Sequence, residues 1–318
     1  MKKIPLILMV LLIAMIGCKQ REENQKKDSV ITEEYVTRVI TTLASDEMRG
    51  RKWSSAADIG RAADYIASQF KEIGLEHFNG LSDYKQAFEG KSNVVGMIKG
   101  RTKPDEFVIF SAHYDHLGIR TPVAGDSIAN GADDDASGCT AVIALAKYFK
   151  NLDKNERSLV FVTFTAEEAG GIGSKYFSEN MDPDKVVAMF NIEMIGKPSK
   201  WGQNSAFITG FDQSSFGKIL QKNVTGTEFQ FMPDPYPDQQ LFYRSDNAML
   251  AIQGVPAHSI STSQIDKDTL YHTVNDEVAT LDMKNIVAAI KAIAVGARSI
   301  VSGDDTPTRV PKPDVNSM

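Results

Sequence analysis

Four stretches of this chain are apolar, of strand length, and lead into a histidine or a carboxylate. Residues 107–112 run into His113 and Asp115, and residues 159–165 into Glu167 and Glu168. Residues 186–192 run into Glu193, and residues 257–262 are followed, after a loop, by His272. Apolar runs this short read as buried strands. Segments with helical periodicity separate them. Strand and helix in alternation predict an α/β fold, a single domain with a central, mostly parallel mixed β-sheet flanked by helices on both faces. Ligands of such sheets bind beyond the carboxyl ends of the strands. Polar clusters far apart in sequence should therefore meet along one edge of one sheet.

The remaining elements fit around these strands. Residues 32–48 predict a helix with an acidic first turn after Thr32, stopped by Arg49-Gly50-Arg51. In residues 54–73, Ile59, Ala62, Ala63, Ile66 and Phe70 form one helical stripe, and Gly74 ends it with Leu75 as a contact across the cap. Residues 86–98 predict edge strands, 137–150 an apolar helix, and 205–210 another strand followed by a helix over 212–222. A short helix follows the glycines at 170–173. Pro233, Pro235 and Pro237 mark 224–240 as a loop, 246–253 is partly helical, and 279–299 is a long closing helix. The folded part is about 270 residues, the size of one domain. The division is a signal peptide over 1–17, a flexible tether over 18–31, the domain over 32–300 and a disordered tail over 301–318.

The first residues carry an address. Lys2 and Lys3 precede an apolar run from Ile4 to Ile16, and Gly17-Cys18 follows. This is the layout of an export signal, with a run too short for a comfortable membrane span. A small residue before cysteine at that point resembles a bacterial lipoprotein signal. It implies an exported protein of the bacterial cell envelope, held to a membrane by lipid on Cys18. An ordinary secretory signal is the alternative. Met15 stands where such signals usually have leucine. Lys19, in place of a retention aspartate, favours the outer envelope. Residues 19–30 are charged and read as solvated chain.

The chain carries a formal charge of −6, and no basic run suggests a nucleic-acid partner. It holds 2 cysteines. With Cys18 in the signal, Cys139 has no disulfide partner and reads as a buried thiol at a helix start. Nothing indicates the oligomeric state.

The clusters themselves have the composition of a metal site, since histidine nitrogen and carboxylate oxygen are the ligands of hydrolytic zinc centres. In His113-x-Asp115 the histidine would ligate and the carboxylate would hold its other nitrogen. Asp133-Asp134-Asp135 is a like-charge run at the mouth of the sheet, which needs a neutralising cation, and one such carboxylate can bridge two metals. Of Glu167 and Glu168, one can bind metal while the other takes a proton from water. Glu193 ends a buried run, and His272 adds an imidazole that Asp276 could orient, unless Asp276 caps the helix after it. His258 reads as structural, and His77 and His116 as bystanders.

Taken in order, AHYDHLG (112–118), NGADDDASG (130–138), TAEEAGGIGS (165–174), NIEMIG (191–196) and YHTVNDEV (271–278) resemble the motifs of the M28 family of zinc aminopeptidases. The resemblance implies an α/β fold with two co-catalytic zinc ions. It implies His113, Asp134 and Glu193 as ligands of one ion and Asp134, Glu168 and His272 as ligands of the other. Asp115 would support His113, and Glu167 would be the general base. Implied substrates are peptides with a free N-terminus. Two residues depart from the family pattern. Glu193 stands where aspartate is usual, lengthening that ligand by a methylene, and Asp135 replaces the common asparagine. The family's tyrosine at the oxyanion would be Tyr236 or Tyr243, and Asp246 would help to bind the substrate amine or shape the pocket. Glutaminyl-cyclase relatives bind a single zinc and lack the first histidine, so His113 favours two metals and hydrolysis. Other readings are a carboxypeptidase or dipeptidase using Arg244 or Arg120, an inactive lipid-anchored binding protein, and a calcium site in the aspartate run. Glu167 argues against the binding protein, and the histidines argue against calcium.

Overall fold

A computed structural model describes residues 30–313. The expected signal peptide, Cys18 and all but the last two residues of the expected tether lie outside the described residues. Helix α1 (Glu33–Leu43) starts where the Thr32 hydroxyl accepts a hydrogen bond from the Tyr35 amide at 3.1 Å. Helix α2 (Ala56–Ile73) starts at the Ser55 hydroxyl and ends at Gly74, whose φ of 79° suits the turn out of a helix. There follow β1 (Glu76–His77), β2 (Lys85–Phe88), β3 (Lys91–Ile98) and β4 (Lys103–His113). A hairpin of β5 (Gly118–Val123) and β6 (Asp126–Ala129) leads to α3 (Gly138–Leu152) and β7 (Arg157–Phe164). The rest is α4 (Ile172–Glu179), β8 (Val186–Ile192), β9 (Ser205–Ile208), α5 (Phe216–Asn223), β10 (Gln230–Pro233), α6 (Ala248–Ala251), β11 (Ala257–Ser261), α7 (Met283–Gly296) and α8 (Arg298–Ser302).

The main sheet runs β1-β3-β7-β4-β8-β11-β9-β10, with β2 also paired to β3. Its centre, β7-β4-β8-β11, is parallel. Its flanks are mixed: β3 is antiparallel to β1, β2 and β7, and β11 to β9. The expected mixed sheet is present, with its parallel character concentrated in the middle. Side chains of a strand alternate between faces. Val108 and Phe110 of β4 and Leu159 and Phe161 of β7 accordingly join the core under α1, α2, α3, α5 and α7. Ile109, Val160 and Val162 join the core on the opposite face, with Phe177 of α4 and Leu250 of α6. Phe110 sits at the centre of the first core, stacked between Phe161 at 5.4 Å and Phe190 at 4.9 Å.

Several expectations need correction. The helix expected over 32–48 stops at Leu43, where Ala44 leaves the helical backbone (φ −98°, ψ 24°), and Asp46–Arg51 form a separate 3-10 segment. Strand β3 lies inside the sheet between β1 and β7, not at its edge. The proline-rich stretch 224–240 hides β10, an outermost strand where Pro233 removes no bond from a neighbour on the open side. The loop expected after Asp115 contains the β5–β6 hairpin. Helix α7 begins at Met283, and Asp282, not Asp276, caps it by accepting from Lys284 and Asn285 amides. Ile31, assigned to the tether, is buried in the core. The tail assigned to disorder is packed as far as Val310. The buried Arg157 guanidinium donates to the carbonyls of Ile300 and Asp305 and to Thr306 Oγ1, and the Val310 amide donates to Gly254. Composition marks that segment as polar, but the acceptors that a buried guanidinium requires hold it in place.

Candidate metal centre

The carboxyl ends of β7, β4, β8 and β11 lie side by side, since His113 is level with Phe164 and Ser111 with Asn191. Each strand therefore delivers its polar residues to the same edge. Of the three adjacent aspartates only Asp134 faces the histidines. Its Oδ1 lies 3.2 Å from His113 Nε2, and its Oδ2 lies 3.2 Å from His272 Nε2. His272 Nε2 is also 3.2 Å from Glu168 Oε2. The other two aspartates are structural. Asp135 accepts from the amides of His113, Gly138 and Met194, which ties the end of β4 to the start of α3 and the end of β8. Asp133 accepts from the Gly196 amide at 2.8 Å and lies 3.4 Å from Lys197 Nζ. Burial raises the Asp135 pKa well above the usual carboxylate range, and its oxygens are engaged by backbone amides instead of facing a substrate.

The positions of His113 and Asp134 are set from behind. His113 Nδ1 donates to the Asp115 carbonyl at 3.1 Å, which directs Nε2 into the site. The Asp115 carboxylate is 3.9 Å from that nitrogen and is taken up by the amides of Glu167 and Glu168, at 3.0 and 3.3 Å. Asp115 thereby couples the His113 segment to the paired glutamates. Asp276 neither orients His272 nor caps a helix. Its carboxylate accepts the amides of Asp133 and Asp134 and so holds the aspartate turn.

The sequence reading missed two residues. His116, taken as a bystander, is buried with Nδ1 at 3.0 Å from Glu168 Oε1 and 3.6 Å from Asp134 Oδ2. Ligand atoms of His116, Asp134 and Glu168 lie within 4.8 Å of one another. Its position three residues after His113, just beyond a strand end, was the available signal. The second is Tyr271. Its ring stacks on His272 at 3.8 Å between centroids, and it lines the same pocket as Glu193. Tyr236 instead packs edge-on against Phe207, and Tyr243 is 46% exposed. His258 is structural as expected, bonded to the Thr209 carbonyl and the Ser214 hydroxyl, and burial lowers its pKa to about 4. His77 is exposed. Buried Cys139 donates its thiol hydrogen to the His113 carbonyl.

The electrostatics are those of a buried cluster of acids that a cation would neutralise. Burial raises the pKa of Glu167 well above the carboxylate range, and Glu193, Asp246 and Asp115 add to this against the pull of His113. Burial likewise raises Glu193, and it raises Asp246 to about 7. Burial opposes a charged His272, but Asp134 and Glu168 outweigh it and lift its pKa to about 9. Asp134 Oδ2, Glu193 Oε2, His116 Nε2 and both Asp246 oxygens are buried without a hydrogen-bond partner among the described residues. Buried orphan acceptors of this kind need an explanation. Nitrogen and carboxylate donors converging on one point fit zinc.

Beside Glu193 a pocket opens between Met194, Phe207, Leu241, Ile265 and Tyr271, with Arg244 at its lining. Arg244 is exposed and donates to Gln239 Oε1 at 3.3 Å, and Arg120 is exposed on the β5–β6 hairpin.

The comparisons with known proteins agree with this geometry. A probable zinc metalloprotease of Pyrenophora teres f. teres is 29% identical over 194 residues, spanning 55% of this chain and 41% of that relative. The chain thus spans about two fifths of that relative's length. Leucine aminopeptidase 1 of Trichophyton rubrum is 24% identical over 281 residues, covering 83% of this chain and 73% of the relative. In fold, Legionella pneumophila LapA superposes with a TM-score of 0.71 at 17% identity, over 88% of this chain and 76% of LapA. The model of peptidase family M28 matches residues 93–296, from the start of the inner strands to the end of α7. With more than half of the chain matched, the chain belongs to peptidase family M28.

Proposed function

We propose that the protein is a zinc-dependent aminopeptidase that releases residues from the free amino end of peptides. The observation that carries this reading is the convergence of His113, Asp134, Glu168 and His272 on one sheet edge, with unpaired buried acceptors beside a largely apolar pocket. His113, Asp134 and Glu193 would hold one zinc ion, and Asp134, Glu168 and His272 a second. Bound there, such ions polarise the scissile carbonyl and make water a usable nucleophile at neutral pH.

The chain's own groups have separable tasks. Glu167 has an elevated pKa and accepts a proton from the attacking water, then passes it to the leaving amine. Asp115 keeps His113 in the tautomer whose Nε2 faces the site. Asp246, whose carboxylate oxygens are both buried without a hydrogen-bond partner among the described residues, would help to meet the cationic amine of a substrate. Met194, Phe207, Leu241 and Ile265 offer an apolar wall to its first side chain. The phenol of Tyr271 is the hydroxyl that supports the oxyanion. Export and anchoring through Cys18 complete the proposal, and the sequence of residues 1–18 supports them.

One observation favours a second reading. Arg244 lines the same pocket and would suit a substrate carboxylate, as in a carboxypeptidase or dipeptidase. A panel of one peptide in free, N-acetylated and C-amidated forms separates the two, with zinc per chain measured on the same sample. Cleavage abolished by acetylation and indifferent to amidation, with about two zinc ions bound, is the expected result. Cleavage abolished by amidation alone would favour the second reading. A chain that binds no zinc and cleaves none of the three would overturn both.

A further inference from the structure

Arg51 is 1% exposed, and the chemistry proposed above makes no use of it. A guanidinium has five N–H donors, and here each finds a backbone carbonyl. Nε donates to Tyr114 at 2.8 Å, Nη1 to Leu43 at 2.8 Å and Asn130 at 2.5 Å, and Nη2 to Gly131 at 2.9 Å and Asp134 at 3.5 Å. The carbonyl of Arg51 itself accepts the His116 amide at 3.1 Å. Four of the five acceptors lie in two segments only. One is 113–116, which carries His113, Asp115 and His116. The other is 130–134, which ends in Asp134. The fifth, Leu43, is an otherwise open carbonyl at the end of α1, where a cation is favoured.

We infer that Arg51 is a positioning residue of the metal centre, a clip that sets the spacing of the His113 and Asp134 segments before any metal binds. The backbone around it is built for this. Arg49, Gly50 and Arg51 have φ of 53°, 66° and 48°, three successive left-handed residues. A Cβ on Gly50 would lie 2.6 Å from the Ala129 oxygen and 2.7 Å from Gly118 Cα, so the turn is wedged against both ends of the β5–β6 hairpin. Strained turns of this kind persist where the surroundings over-determine them. Among the described residues no carboxylate is bonded to Arg51, and its charge acts through space on Asp134, Asp276 and Asp115. Lysine has a compact ammonium in place of a planar fork and cannot reach all five carbonyls.

The inference rests on the zinc reading above, and its test uses zinc alone on the full chain. In Arg51→Lys, zinc affinity measured by chelator competition should fall about 10- to 100-fold, the usual effect of losing an outer partner of a metal ligand. The visible spectrum of the cobalt-loaded protein should change with it. In the metal-free wild type, amide hydrogen exchange at 114–116 should remain slow, because the clip precedes the metal. A variant that melts lower yet binds zinc as the wild type does would show a merely structural arginine and overturn the inference. Should Arg51→Lys fail to fold, fast exchange at the His116 amide of the metal-free wild type would overturn it, and slow exchange would support it. A wild type that binds no zinc would instead remove the zinc reading, and this inference with it.

Discussion

At the scale of single residues, the site separates groups that face one another from groups that hold them. Glu167 is one residue from Glu168, yet Glu168 is engaged by His116 and His272, while Glu167 has an elevated pKa and, among the described residues, no imidazole within ion-pair distance. Removing its charge should leave the ligand set intact. Glu167→Gln is therefore expected to keep its zinc and to lose about 10²- to 10⁴-fold in kcat, the usual contribution of a general base. Elemental analysis beside steady-state kinetics checks this, and zinc lost together with activity would count against the role. His116 makes the opposite forecast. Its Nδ1 braces Glu168, so His116→Ala should weaken zinc binding by about 10- to 100-fold, seen as zinc lost on dialysis under conditions where the wild type retains it. Unchanged zinc retention would return His116 to the status of a bystander.

At the scale of elements, the centre depends on how closely α3 approaches the ends of β4 and β8. Gly138 begins α3, and a Cβ there would lie 2.2 Å from the Ile192 oxygen and 2.5 Å from both Asp135 carboxylate oxygens. Neither neighbour can retreat, because one is strand backbone and the other is held by three amides. Gly138→Ala should thus cost about 1–3 kcal/mol, as overpacking does. For a chain of this size that lowers Tm by several degrees. Calorimetry of the metal-free variant checks the cost, and a Tm equal to that of the wild type would mean that the approach is not tight. The same elements show what was legible before the structure. All four strands that lead to the site are foreseeable, because apolar runs ended by polar residues leave few alternatives. The β5–β6 hairpin and β10 are not, because exposed or edge strands carry little apolar pattern. Helix ends shifted by a few residues wherever a cap could be read only from hydrogen bonds, as at Asp282.

At the scale of the whole molecule, the buried acid cluster couples stability to pH. Burial raises Asp115 and Asp133 to about 6 and Asp246 and Asp276 to about 7. Their unfolded values lie near 3.8. Between those limits the folded chain binds more protons than the unfolded one, so stability falls as pH rises. His272, raised to about 9, acts in the same direction, because its proton is lost from the folded state as pH climbs. Glu168, held down to about 2 chiefly by His116 and His272 against the cost of burial, loses its contribution only below pH 4. The metal-free protein should therefore melt at a higher temperature at pH 5.5 than at pH 8. Added zinc, which competes with those protons, should raise Tm more at pH 8 than at pH 5.5. Thermal scans with chelator and with zinc at the two values test both signs. A chelated protein that gains stability toward pH 8 would contradict the cluster's electrostatics.

What the sequence by itself determined is the layered α/β fold, the delivery of polar residues to one sheet edge, and the chemistry of the donors. Each of these follows from local pattern: the length of an apolar run, the residue that ends it, and the nature of nitrogen and carboxylate ligands. Tertiary structure alone decided which of three adjacent aspartates faces the histidines, that His116 and Tyr271 join the site, that Asp276 holds the aspartate turn, and that Arg51 fastens two distant segments. Those facts depend on where side chains point after segments separated by 52 to 143 residues have met. A hydrogen bond between such segments leaves no periodicity in the chain.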